Sequence, residues 1–289
     1  MALLRGLRRE SCWPTITACL LTENVVDVIN LGDVNLHYRV EGDPNGVPVV
    51  FANSLGTDFR LWDKVLPLLP AGLRILRFDK RGHGLSSCPE GDYSLNELVD
   101  DCARLIRALE FEGCLFVGLS IGGLIAQGLA ARHAGLLRGI VISNSAARIG
   151  TEEMWRERIE LLRADGIEAI ADNIMLRWFA RDFHERHALE LSGWRNMLTR
   201  TPAAGYIGCC AAIAPSDLTS STAAIKLPTL VIAGNEDGSV PVEVARATAD
   251  LVAGSRFELI DNAGHLPCVE QPAIYAALLA DFLREIDHA

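Results

Sequence analysis

Short runs rich in Val, Ile, Leu and Phe punctuate this chain from residue 25 onward, at 25–30, 34–40, 47–52, 75–79, 114–118, 139–143, 229–233 and 256–260. Eight strands are predicted. Leu31-Gly32-Asp33 separates the first two and suits a hairpin, whereas later runs are spaced by helical patterns such as 95–109, 121–133 and 242–252. Strands alternating with helices imply an α/β fold, a mostly parallel sheet covered on both faces. Right-handed crossovers then align the strands' carboxyl ends along one edge, where ligands of open α/β sheets bind.

Between residues 146 and 217 the strand signal stops. Helices are predicted at 152–164, 167–180, 184–198 and 203–214, with Pro202 and Pro215 as breakers. The chain therefore divides into a core of 25–145 and 217–289 and a helical cap of 146–216. Residues 1–24 conform to neither part. Arg5, Arg8 and Arg9 precede a weak apolar patch broken by Pro14, Thr15 and Thr17, a poor secretory signal. A targeting peptide, a disordered arm and an over-extended reading frame all remain open for this leader.

Composition narrows the class. The chain has 289 residues, 49% hydrophobic and 22% charged, with a net charge of −10. No basic run offsets that charge, so nucleic acid is an unfavourable partner. No stretch approaches the roughly 18 apolar residues that span a bilayer, so no membrane partner is expected. Cysteines at 12, 19, 88, 102, 114, 209, 210 and 268 form no C-x-x-C pair. They suit reduced core thiols of a cytoplasmic protein better than disulfides or a metal site. Oligomeric state is not legible.

The chemistry centres on Gly118-Leu119-Ser120-Ile121-Gly122, a G-x-S-x-G spacing between a predicted strand and a helix rich in small residues. A serine there sits on a tight turn, with glycines removing the Cβ atoms that would clash. Serine is a weak nucleophile and needs a base and an orienting acid. Asp237, with Glu236 as a rival, and His265 follow the last two predicted strands and fall on the same sheet edge. Ser120, Asp237 and His265 are the candidate triad. Oxyanion donors are expected from the amides of Ile121, after the nucleophile, and Leu55, in the loop Asn53-Ser54-Leu55-Gly56-Thr57 after the third strand.

At these residues the chain resembles the α/β-hydrolase superfamily. Phe78-Asp79-Lys80-Arg81-Gly82-His83-Gly84-Leu85-Ser86 is similar to its D-x-R-G-x-G-x-S segment, where Asp79 and His83 are expected to be scaffold, and Gly264-His265-Leu266-Pro267 to its histidine loop. Within it, Asn53 to Thr57, Asn144 to Gly150, Arg177-Trp178-Phe179 and Gly205-Tyr206 with Cys209 to Ile213 resemble the 3-oxoadipate enol-lactonases. That resemblance implies hydrolysis of a small anionic lactone through an acyl-serine, without metal or organic cofactor, in the β-ketoadipate pathway. It also implies a small apolar pocket with one fixed cation. Arg148 is the first candidate for that cation and Arg177 the second, Trp155 and Trp178 are candidate walls, and Asn53 and Ser54 are candidate substrate contacts. A carboxylesterase, a perhydrolase, a carbon-carbon bond hydrolase and a ligand receptor on the same scaffold are the alternatives.

Overall fold

The structure is a computed structural model that describes residues 26–287; the leader of 1–24 lies outside the described residues. All eight expected strands form, as β1 (Asp27–Asn30), β2 (Asn35–Gly42), β3 (Val47–Ala52), β4 (Leu73–Phe78), β5 (Cys114–Leu119), β6 (Leu137–Ser143), β7 (Thr229–Gly234) and β8 (Arg256–Ile260). They make one sheet in the order β1-β2-β4-β3-β5-β6-β7-β8. The β1-β2 hairpin and the β2-β4 pair are antiparallel, and the other five pairings are parallel. Burial follows position. Every residue of β5 and β7 is buried, whereas β1 and β8 at the edges are not, which is why the central strands are unbroken apolar runs.

Helices cover both faces: α1 (Leu95–Ala108), α2 (Ile121–Arg132), α3 (Glu152–Asp165), α4 (Glu168–Trp178), α5 (Arg181–Arg186), α6 (Ala188–Thr199), α7 (Ala203–Ile213), α8 (Thr219–Ala223), α9 (Val242–Leu251), α10 (Pro267–Glu270) and α11 (Pro272–Asp287). A capping box starts α1, with Ser94 and Glu97 each satisfying the other's backbone amide. Short 3-10 turns alone occupy the β3-β4 connection. Among the described residues no helix is long and apolar enough to cross a membrane, and no group of three or more His, Cys, Asp or Glu could hold a metal ion.

Two features differ from expectation. The helix predicted over 184–198 is two helices, α5 and α6, broken at His187, whose φ of −122° and ψ of 37° are not helical. The break lets Phe183 stack on Phe179 at 4.4 Å between ring centroids while Trp194, on the next helix, reaches the same Phe179 at 6.2 Å. Burial of one aromatic by two helices outweighs continuation of a single exposed one. The other difference is α11, which the strand-and-spacer reading leaves out. Its Tyr275, Leu279 and Phe282 are buried, and Tyr275 meets Trp62 at 6.0 Å.

Candidate active site

Six loops converge at the carboxyl edge of the sheet, and they follow β3, β4, β5, β6, β7 and β8 in turn. The one after β5 is a single residue. Ser120 lies between β5 and α2 at φ 58° and ψ −117°, a conformation that a side-chain-bearing residue adopts only under constraint. The constraint is visible on both sides. The Ser120 amide donates to the Ser143 carbonyl at 2.9 Å, and the Ser120 carbonyl accepts from the Gly123 amide at 2.8 Å and from Ser145 Oγ at 2.7 Å. A Cβ on Gly118 would lie 2.0 Å from the Gly122 carbonyl oxygen, so the turn closes only with glycine there.

Asp237 follows β7 and His265 follows β8. His265 Nδ1 lies 3.0 and 2.9 Å from the two Asp237 carboxylate oxygens. That carboxylate also accepts from Asn144 Nδ2 at 2.9 Å and from the backbone amides of Ser239 and Val240 at 2.7 and 3.0 Å. This many donors fix the carboxylate in place. Its bond to Nδ1-H leaves Nε2 of His265 as the basic nitrogen. Glu236, the rival acid, is exposed and instead accepts from the Arg181 amide at 3.1 Å. Asn144 Nδ2 also reaches the Gly264 carbonyl at 3.1 Å, which joins the loops after β6, β7 and β8 through one side chain.

Ser120 and His265 face one cavity. Its apolar walls include Leu55, Ile149, Trp155, Ile174, Trp178 and Val240. Thus Trp155 and Trp178 both line it, the former anchored by Nε1 donation to the Ile149 carbonyl at 2.6 Å. Among the described residues, neither the Leu55 nor the Ile121 amide has an acceptor, although both residues are buried. Ser54 Oγ, also buried at the cavity wall, has no partner either. Unsatisfied donors in a folded interior are rare and mark a place for an outside acceptor.

The candidate cations separate clearly. Arg148 lies away from the cavity lining, with 55% of its side chain exposed and Nη1 3.7 Å from Asp217. The Ala147 amide donates to Thr248 Oγ1 at 3.0 Å, and the Ala147 carbonyl accepts from the Leu218 amide at 2.8 Å. These bonds hold the chain against α8 and α9, so the next side chain extends toward Asp217. Arg177 is exposed but reaches the cavity rim. A third arginine, Arg158, was not among the sequence candidates. It is half-buried, lines the cavity, and lies with its guanidinium carbon 4.7 Å from the Trp155 ring centroid. No carboxylate of the described residues is within 4.0 Å of it. The available signal was spacing: three residues after Trp155 on a helix puts both on one face. Asn53 is scaffold by geometry, since Nδ2 donates to the Phe78 carbonyl at 2.9 Å and Oδ1 accepts from Trp62 Nε1 at 2.8 Å.

Residues 49–278 match the Alpha/beta hydrolase family. The chain belongs to that family. Among family members, the 3-oxoadipate enol-lactonase 1 of Acinetobacter baylyi is 33% identical over 259 residues, which are 90% of this chain and 97% of the relative. The enol-lactonase from Burkholderia xenovorans LB400 superposes with a TM-score of 0.86 at 36% identity, covering 89% of this chain and all of that one. A thermophilic esterase from Thermogutta terrifontis, solved with malate bound, gives a TM-score of 0.84 at 27% identity over 90% and 98% of the two chains. This member is thus a hydrolase, with the eight-stranded sheet of the α/β-hydrolase fold.

Proposed function

We propose that the protein opens 3-oxoadipate enol-lactone to 3-oxoadipate through an acyl-serine, with Ser120 as nucleophile, His265 as base and Asp237 as the acid that orients it. The observation that carries this reading is the shared cavity. The elbow serine, the Asp237-bound histidine, Leu55 with its unsatisfied amide and an arginine without a carboxylate all border one apolar space, and the second unsatisfied amide, of Ile121, directly follows the serine. Similarity to two enol-lactonases over most of the chain supports the substrate.

His265 Nε2 takes the Ser120 proton as Oγ attacks the lactone carbonyl, and the Leu55 and Ile121 amides receive the oxyanion. Collapse breaks the ring C-O bond and expels an enolate, a better leaving group than an alkoxide because its charge is delocalised. The histidinium returns the proton to give the ketone. Water activated by His265 then hydrolyses the acyl-serine and releases the diacid. Arg158 binds the substrate's carboxylate, because a guanidinium matches its two oxygens; Arg177 at the rim is the second cation, and Ser54 Oγ donates to the bound ligand. The helices of 146–216 act as the cap that excludes bulk water. The reaction belongs to aromatic catabolism by the β-ketoadipate pathway, in the cytoplasm.

The test is turnover of the enol-lactone beside p-nitrophenyl acetate, for the wild type and for Ser120→Ala. Efficient lactone opening, abolished in Ser120→Ala, is expected. Ester cleavage without lactone opening would instead make the protein a general carboxylesterase, in keeping with its likeness to the Thermogutta terrifontis esterase.

A further inference from the structure

The loop that carries Leu55 is held from behind by the segment that follows β4. Lys80 is buried, and Nζ donates to the Ser54 carbonyl oxygen at 2.7 Å and toward the Thr57 carbonyl at 3.5 Å. Thr57 adds two more donors to the same Ser54 oxygen, its amide at 3.3 Å and its Oγ1 at 3.0 Å. One residue along, the Gly56 amide donates to His83 Nε2 at 2.9 Å. Burial keeps that imidazole neutral, so Nε2 accepts while Nδ1 faces the Arg81 carbonyl at 3.3 Å.

The Ser54 carbonyl and the Leu55 amide belong to one peptide plane. In a trans peptide the oxygen and the N-H point in opposite directions. Three donors, one of them cationic, therefore converge on the oxygen, while the N-H on the far side has no acceptor among the described residues. Electron withdrawal at the oxygen strengthens the N-H as a donor, since hydrogen bonds in a chain polarise one another.

We propose that Lys80 is a positioning residue for the oxyanion hole: its buried ammonium fixes and polarises the Ser54-Leu55 peptide so that the Leu55 amide meets the developing negative charge of the transition state. This rests on Ser120 acting as the nucleophile. It assigns work to a position within the Asp79 to Ser86 segment, where the scaffold reading alone would give Lys80 none.

The arrangement has a signature in pH. Burial lowers the Lys80 ammonium to about 8, against the pull of Asp79 beside it and Asp58 in the β3 loop; Cys209 on α7 and Cys102 on α1 also face it. Both thiols are pushed up by burial, Cys209 to about 12, so they are uncharged at pH 8. The two carboxylates are engaged elsewhere, Asp79 by His37 at 2.8 Å and Asp58 by Arg60 at 2.5 Å. His83, the other titratable neighbour, is held neutral. Lys80 is then the cation in this set that changes state as the pH rises through about 8.

The experiment measures the pre-steady-state acylation rate with p-nitrophenyl acetate from about pH 6.5 to 10, on the full chain, for wild type, Lys80→Gln and Ser120→Ala. Gln keeps an N-H donor and discards the charge. The expected wild-type rate falls about 5- to 10-fold above pH 8, a fraction of the 10²–10³ that removal of a whole oxyanion donor costs. Lys80→Gln sits about 5- to 10-fold below wild type at pH 7.5, with KM within about twofold and no alkaline fall. A folded Lys80→Gln with the wild-type rate, or one that retains the alkaline fall, overturns the proposal. Should that variant not fold, a wild-type rate that stays level to pH 9.5 overturns it on its own, and the alkaline fall supports it. Unimpaired acylation in Ser120→Ala would instead sink the nucleophile assignment beneath it.

Discussion

Ser120 is strained because nothing around it can relax. Its backbone sits at φ 58° with both its amide and its carbonyl held by hydrogen bonds, and such strain persists only where the surroundings over-determine it. The weak point of this lock is Gly118, where any Cβ enters the Gly122 carbonyl at 2.0 Å. Gly118→Ala is therefore expected to destabilise by about 2–3 kcal/mol, within the usual range for overpacking. Thermal denaturation checks this: the melting temperature should drop by roughly 5 °C or more, with turnover falling as the elbow opens. An unchanged melting temperature would mean that the turn has slack that these distances exclude. The elbow serine, the acid and the histidine were all legible as residue types after predicted strand ends. The inward arginine was not, because Arg148 and Arg158 differ in where packing sends them rather than in chemistry.

At the scale of elements, the C-terminal end of α4 and its link to α5 are stitched to the loops that carry Asp237 and His265. The Trp178 carbonyl accepts from the His265 amide at 2.8 Å, and the Arg177 carbonyl accepts from the Gly238 amide at 3.2 Å. Gly264 lies so close that a Cβ there would be 2.6 Å from the Trp178 oxygen. Glu270 on α10 completes the join by accepting from the Ala180 amide at 2.8 Å and the Gly264 amide at 2.7 Å. Burial pushes its carboxyl up to about 7, against the pull of those two amides. A folded-state value above the unfolded one makes the native state hold its proton longer. Its contribution to stability is full at low pH and lost as the pH rises toward 7. Replacement by glutamine removes the titration, so the stability of Glu270→Gln relative to wild type should climb between about pH 5 and 8, by up to about 2–3 kcal/mol, whatever its offset at pH 5. Chemical denaturation at several pH values reads this directly, and a constant difference would contradict it. None of these ties could be read in the sequence. The helices they join are predicted from periodicity, but the break at His187 and the stitching of these helices to the sheet edge depend on Phe179 and on backbone amides, which carry no pattern.

For the whole molecule, the sheet sets the site. Parallel strands β3 to β8 place six loops on one edge, and the strands could be read because burial on both faces demands unbroken apolar runs. The edge strands, α11 and the β3-β4 turns carry weaker signals, since their burial is partial or comes from packing distant in sequence. A net charge of −10 would oppose the approach of the proposed anionic substrate, so selection of its carboxylate would fall to local groups, with Arg158 foremost. This role of Arg158 joins the proposed serine chemistry to the substrate class. Its most direct test is kcat/KM for the enol-lactone carrying its free carboxylate and for the methyl ester of that carboxylate, in wild type and in Arg158→Ala. Wild type should favour the acid by about 10- to 100-fold, the worth of a charge-assisted pair, and Arg158→Ala should lose most of that preference through KM. Equal use of acid and ester by the wild type would contradict the account.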